Sequence, residues 1–127
     1  MAIPKLNTLQ LEIKDGLFIM LFNRPARFNA FTNQMYNDVV SALQWADKEE
    51  SVVAALIGGR GTYYSSGNDL ANFGEAASSG LSPQELSKKS SDTLFEFVNA
   101  FIHFSKPLIA AVNGPCIGTS TTITSIG

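Results

Sequence analysis

The 127-residue chain has one cysteine, one histidine and no long apolar run, and each shortage removes a class of protein. A lone Cys116 cannot close an intrachain disulfide, which fits a reducing, intracellular compartment. With a single His beside that Cys, no zinc-type ligand cluster can be assembled, so no metal site is expected. No apolar stretch approaches the roughly 20 residues that a membrane-spanning helix needs. Charge is sparse as well: nine Lys and Arg stand against eleven Asp and Glu, for a net charge of -2. The charges are scattered, with no run longer than Asp47-Lys48-Glu49-Glu50, which excludes the basic footprint of a nucleic-acid-binding surface. The opening Met1-Ala2-Ile3-Pro4-Lys5 has neither the apolar core of a signal peptide nor the Arg-rich pattern of a transit peptide.

What is present reads as strands alternating with helices. Residues 8–14 place Leu9, Leu11 and Ile13 on one face of a half-buried strand. Asp15-Gly16 then signals a two-residue turn into the apolar run of residues 17–22, a hairpin whose second strand is expected to be buried on both sides. Met35, Val39, Ala42, Leu43 and Ala46 recur at helical spacing and predict a helix over residues 33–47, capped by Thr32 or Asn33. Two further buried strands are expected over residues 52–57 and 108–112. Between them Ser82 and Glu85 form a capping box with Pro83 at the first helical position. Leu86, Leu94, Phe97, Phe101 and Phe104 follow on one face, which reads as core packing. The small residues 74–82 read as a mobile loop.

This alternation argues for a parallel α/β layer. Such a layer needs both faces covered, and the chain stops at Gly127 soon after the last strand, so residues 1–127 are expected to be part of a larger domain. Ligands of α/β sheets bind beyond the carboxyl ends of the strands, which singles out the glycine-bearing loops at residues 58–70 and 113–120. Neither loop is a phosphate cradle: no Gly-Lys pair exists for a P-loop, and Gly59-x-Gly61 meets Tyr64 where a dinucleotide fingerprint needs its third glycine. Thr122 likewise stands where a nucleophile elbow would need glycine. His103 falls beside Glu96 on the polar side of its helix and reads as a surface residue. Cys116 has no convincing partner and reads as a small buried filler. There remain two backbone turns, Ser66-Gly67-Asn68-Asp69 and Gly118-Thr119, each leading into a helix start. First-turn amides lack intrahelical partners, so two such turns brought together could cradle an oxyanion. Ordinary capped turns have the same signature, and spacing alone favours that plainer reading.

Three motifs, in order, resemble the N-terminal half of the enoyl-CoA hydratase/isomerase (crotonase) family. They are Asn23-Arg24-Pro25-Ala26-Arg27-Phe28-Asn29-Ala30-Phe31, then Ser65-Ser66-Gly67-Asn68-Asp69-Leu70, then Lys106-Pro107 through Asn113-Gly114-Pro115-Cys116-Ile117-Gly118. The Ser-Ser-Gly-Asn-Asp-Leu and Asn-Gly-Pro forms are similar to the Δ3,Δ2-enoyl-CoA isomerase branch of the peroxisomal type. The resemblance implies the N-terminal portion of a crotonase-like ββα spiral. It also implies an oxyanion hole built from the backbone N–H groups of Asn68 and Thr119. Ser66, Gly67, Asn68, Asp69, Leu70 and Gly118 would line the path of a fatty acyl-CoA, and Arg27 would meet the coenzyme A phosphates. No cofactor beyond the substrate's own coenzyme A is implied, and the general base would be a Glu outside these 127 residues. Homotrimers or hexamers, and a peroxisomal or mitochondrial matrix location, follow from the same likeness. Thr122 stands where hydratases of the family carry a Glu, which argues against water addition, a reaction that needs paired carboxylates. Residues 119–124 would, by propensity alone, read as a strand where the family has a helix start. A non-catalytic acyl-CoA-binding remnant and a hydratase remain the alternatives.

Overall fold

In the computed structural model residues 3–117 are described. The hairpin forms as expected: β1 (Leu9–Lys14) and β2 (Leu17–Phe22) pair antiparallel, from Leu9 opposite Phe22 to Lys14 opposite Leu17. Asp15 and Gly16 both take positive φ, 51° and 84°, which a type I′ turn requires and which Asp and Gly tolerate. β2 is not buried on both sides. Phe18, Met20 and Phe22 are wholly buried on one face, while Leu17, Ile19 and Leu21 on the other are half-buried. That second face is shared with the polar Gln10, Glu12 and Lys14 of β1, which the register sets directly opposite.

Helix α1 (Asn33–Lys48) carries the chain over the buried face, and Thr32 caps it by accepting the Met35 N–H at 3.2 Å. β3 (Ala54–Gly59) then pairs parallel to β2, and β4 (Leu108–Ala110) parallel to β3, giving the order β1-β2-β3-β4. β3 starts two residues later than its apolar run suggests. Val53 is spent on the approach, donating to Gly16 O at 2.8 Å with its side chain exposed. β4 is shorter than expected, and Ile109 and Val112 are exposed rather than buried. It is an edge strand, paired among the described residues only with β3.

Between β3 and β4 run α2 (Ala71–Ser78) and α3 (Pro83–Ile102). The expected loop over residues 74–82 is therefore helical through Ser78, because Glu75, Ala76 and Ala77 are good helix formers. Ser82 caps α3 by accepting the Glu85 N–H at 3.1 Å. The Phe stripe packs as core at its C-terminal half, where Phe97 and Phe101 are buried. Phe97 meets Phe31 and Tyr36 edge-on at centroid distances of 5.4 and 4.9 Å. Leu94 is exposed, because that part of α3 faces α2 across a cleft. His103 is exposed as expected, whereas Cys116 is half-buried against the core rather than enclosed by it.

Candidate active site

The loop after β2 sets the geometry of the site. Pro25–Arg27 makes one 3-10 turn, and Phe28 and Asn29 follow with φ of 53° and 55°. Asn tolerates this left-handed region; a bulky aromatic rarely enters it, so the surrounding structure must hold it there. The Phe28 ring meets that of Tyr63 at a tilt of 44°, centroids 4.7 Å apart, and the Phe28 N–H donates to Pro25 O. Asn29 is fully buried and serves as a junction. Its Oδ1 accepts the Arg24 N–H at 2.8 Å, its Nδ2 donates to Arg60 O and Tyr63 O at 2.8 and 2.9 Å, and its carbonyl accepts the Ser65 hydroxyl at 2.7 Å. The loops after β2 and β3 are thereby joined.

A second junction joins the loops after β3 and β4. Asn113 Oδ1 accepts the Gly59 N–H at 3.1 Å, and its Nδ2 donates to Gly61 O at 3.0 Å. Pro115 O accepts the Tyr64 N–H at 3.1 Å, and the Ile117 N–H donates to Ser65 O at 3.1 Å, so the two segments run side by side and parallel. Gly114 makes this approach possible: a Cβ there would lie 1.9 Å from Thr62 O. The two glycine loops are thus brought together up to Ile117. Gly118 and Thr119, the second half of the expected oxyanion hole, lie outside the described residues, as does the run 119–124.

Within the first loop, Gly67 is buried with φ of 93°. The Phe31 N–H donates to Gly67 O at 2.7 Å, and the Asp69 N–H donates to Phe31 O at 2.9 Å. In a trans peptide the N–H points opposite to the C=O, so the Asn68 N–H is directed away from Phe31. It has no acceptor among the described residues, and Asn68 is exposed. Ser66 is half-buried and donates its N–H to Phe28 O, and Leu70 is 79% exposed.

Asp69 turns inward. Its Oδ1 accepts the Ala71 N–H at 2.8 Å, capping α2, and its Oδ2 pairs with Arg24 Nη1 at 2.8 Å. The Ala71 amide and then the Arg24 guanidinium hold its carboxyl below the usual range, with Arg27 adding a weaker attraction. Arg24 also donates to Ala30 O. Arg27 itself is exposed at the rim. Asp69 is therefore engaged as a structural anchor, and its partner Arg24 had no role assigned from sequence. Asn29, Asn113 and Asn72 were missed in the same way. Asn29 and Asn113 stand inside the quoted motifs and Asn72 just beyond one, but most of what they bond to lies far along the chain.

Beside Asn68 a cleft of about 290 Å3 opens between α2 and α3, lined by Tyr36, Asn72, Phe73, Thr93 and Leu94 among others. Among the described residues no three His, Cys, Asp or Glu side chains come together to hold a metal ion. Among the same described residues no helix is long and apolar enough to cross a membrane. What the loop offers chemically is an outward amide donor, suited to an anionic oxygen.

The comparisons with known proteins agree with one another. A family model described as enoyl-CoA hydratase/isomerase matches residues 12–126. The chain is 45% identical over 116 residues to enoyl-CoA delta isomerase 2 of Homo sapiens, covering 91% of this chain and 29% of that protein. It is 44% identical over 113 residues to enoyl-CoA delta isomerase 3, peroxisomal, of Mus musculus, covering 89% of this chain and 34% of that one. A crystal structure of an enoyl-CoA hydratase/isomerase from Xanthobacter autotrophicus Py2 superposes with a TM-score of 0.84 at 30% identity, covering 94% of this chain and 43% of that structure. The chain thus spans about a third of the curated relatives it matches.

Proposed function

The chain belongs to the enoyl-CoA hydratase/isomerase family, and on that premise we propose that the intact protein is an enoyl-CoA isomerase moving a double bond from position 3 to position 2 of a fatty acyl-CoA. The observation that carries this reading is the Asn68 N–H, directed outward and without an acceptor among the described residues. In the proposed reaction it donates to the thioester oxygen, with the Thr119 N–H as the second donor. A base supplied from beyond residue 127 removes a proton from C2, and the oxygen takes up negative charge as the thioester enolate forms. The same base returns the proton at C4, which leaves the double bond conjugated with the carbonyl. The amides act by holding their dipoles where that charge develops, so they need no reorganisation as the reaction proceeds.

The remaining residues take supporting parts. Ser66, Gly67, Asp69, Leu70 and Gly118 shape the acyl-CoA path, the exposed Leu70 by apolar contact and Asp69 by fixing the start of α2. Arg27, exposed at the rim, meets the coenzyme A phosphates. No cofactor is needed, since the reaction is a proton transfer within one substrate. Isomerisation is preferred to hydration because Thr122 supplies no second carboxylate. Assembly as a homotrimer or hexamer in the peroxisome or mitochondrial matrix completes the proposal, the peroxisome being supported by the name of the mouse relative.

The test uses the intact protein with a 3-enoyl-CoA, following the absorbance of the conjugated 2-enoyl product. Asn68→Pro deletes the donor and is expected to lower turnover by about a hundredfold or more. Absence of conversion by the wild type, or full activity in a folded Asn68→Pro variant, would refute the reading.

A further inference from the structure

The loop bearing Asn68 is held by its backbone and also by one side chain from the next helix. Asn72, in the first turn of α2, uses both ends of its side-chain amide. Its Nδ2 donates to Asn68 Oδ1 at 2.8 Å and to Phe31 O at 3.0 Å, and its Oδ1 accepts the Asn33 N–H at 3.1 Å. Asn33 opens α1, so that N–H is one of the orphan amides of a helix start. The Tyr36 hydroxyl donates to the same Asn68 Oδ1 at 3.2 Å. One side chain therefore connects the start of α1, the Phe31 backbone and Asn68.

We infer that Asn72 is a positioning residue that sets the direction of the Asn68 N–H. The inference rests on the oxyanion-hole reading above and adds the group that aligns the donor. The Gly67–Asn68 peptide is fixed on its carbonyl side by the Phe31 N–H. On the other side the Asp69 N–H on Phe31 O holds the following peptide, and the Asn68 side chain adds the restraint on Asn68 itself, next to Gly67, whose φ of 93° leaves that backbone the freedom only glycine has. Without Asn72, that side chain keeps the longer bond from Tyr36 alone. No residue of α2 is fully buried, so packing on that helix is a poor substitute for the lost contact. Hydrogen-bond strength falls steeply as the donor leaves the line to its acceptor, so a small swing of the peptide is enough to weaken the hole.

The experiment uses the intact protein with 2,4-hexadienoyl-CoA, a dienoyl thioester whose absorption moves to longer wavelength when its carbonyl is polarised. Three variants are compared with the wild type. Asn72→Ala removes all three bonds, and Asn72→Asp keeps an acceptor for the Asn33 N–H but loses the donor to Asn68. Tyr36→Phe removes the phenolic hydroxyl and with it the bond to Asn68 Oδ1. The expected result is that Asn72→Ala and Asn72→Asp bind the probe but lose most of its red shift. Their kcat should fall about tenfold or more with KM within about threefold, a part of what deleting a donor costs. Tyr36→Phe should lose a smaller share of both. A full red shift and wild-type kcat in the Asn72 variants would overturn the inference, as would recovery of both in Asn72→Asp. Should Asn72→Ala fail to fold, Asn72→Asp and Tyr36→Phe carry the same test. A wild-type protein that binds the probe without any shift would instead refute the oxyanion-hole reading, a result distinct from an unaltered Asn72 variant.

Discussion

Replacing Asn29 should destabilise the protein more than almost any other polar substitution, and the structure supplies the arithmetic. The side chain is 0% exposed and makes three hydrogen bonds, all to backbone groups of the two loops that form the site. Asn29→Ala leaves the Arg24 N–H and the Arg60 and Tyr63 carbonyls short of a partner, at about 1 kcal/mol each. Alanine must also adopt the left-handed φ of 55°, which adds about 1 kcal/mol. The sum is about 4 kcal/mol, a large share of the 5–15 kcal/mol that typically separates folded from unfolded protein. Asn29→Gly escapes the φ penalty and should be about 1 kcal/mol less damaging than Asn29→Ala. Asn29→Asp keeps the acceptor for Arg24 but sets a carboxylate oxygen against two carbonyls. It should be at least as destabilising as alanine at neutral pH. Urea unfolding of the intact protein at fixed concentration measures all three. For m of about 2 kcal/mol/M the alanine midpoint should fall by about 2 M. A loss below about 1.5 kcal/mol for Asn29→Ala, or a glycine variant no more stable than the alanine one, would refute the reasoning.

Other consequences can be checked with similar means. Gly114→Ala would place a Cβ 1.9 Å from Thr62 O, which neither backbone segment can avoid without moving. A destabilisation of about 3 kcal/mol or failure to accumulate is expected, and a wild-type melting temperature would contradict it. Asp69 has a folded pKa held below the ordinary 3.8 by the Ala71 amide and by Arg24, so as pH falls the unfolded chain takes up the proton first. Its contribution is present above that value and is lost as pH drops from about 3.8 through the folded pKa; Asp69→Asn should lower stability at pH 7 and flatten the acid limb, as acid titration of the unfolding midpoint would show. Lys106 donates to Ala46 O and Glu49 O, both at 2.7 Å, and so closes the C-terminal end of α1. Lys106→Met keeps the stem and removes the donor, and should cost about 1.5 kcal/mol by thermal or urea unfolding; an unchanged midpoint would mean these bonds contribute nothing.

The features legible in the sequence share one property: their cause lies within a few residues. The Asp15-Gly16 turn, the Thr32 and Ser82 caps and the Pro83 start each satisfy an amide or a dihedral nearby, and all appear as read. The Phe97 and Phe101 core positions follow from helical periodicity, and the glycine loops from their place after apolar strands. Family membership too was legible, since three ordered motifs carry it. Where the reading departed from the structure, the deciding partner was remote or the local signal ambiguous. An all-apolar β2 cannot say which of its faces will be covered, and an edge position exposes Ile109 and Val112 whatever their hydrophobicity. A run of small residues is compatible with both a loop and the end of α2.

The site itself divides along the same line. The turn from Ser66 to Asp69 leading into a helix was legible in the local residues, and Asp69 caps that helix through the Ala71 N–H. The pairing of Arg24 with Asp69 across 45 residues of chain came from the folded arrangement alone. In the same way that arrangement brought Asn29 to Tyr63 across 34 residues, and Asn113 to Gly59 across 54. A buried amide group must find donors and acceptors wherever folding leaves them unpaired. Which carbonyl that is depends on how three loops converge at the ends of β2, β3 and β4.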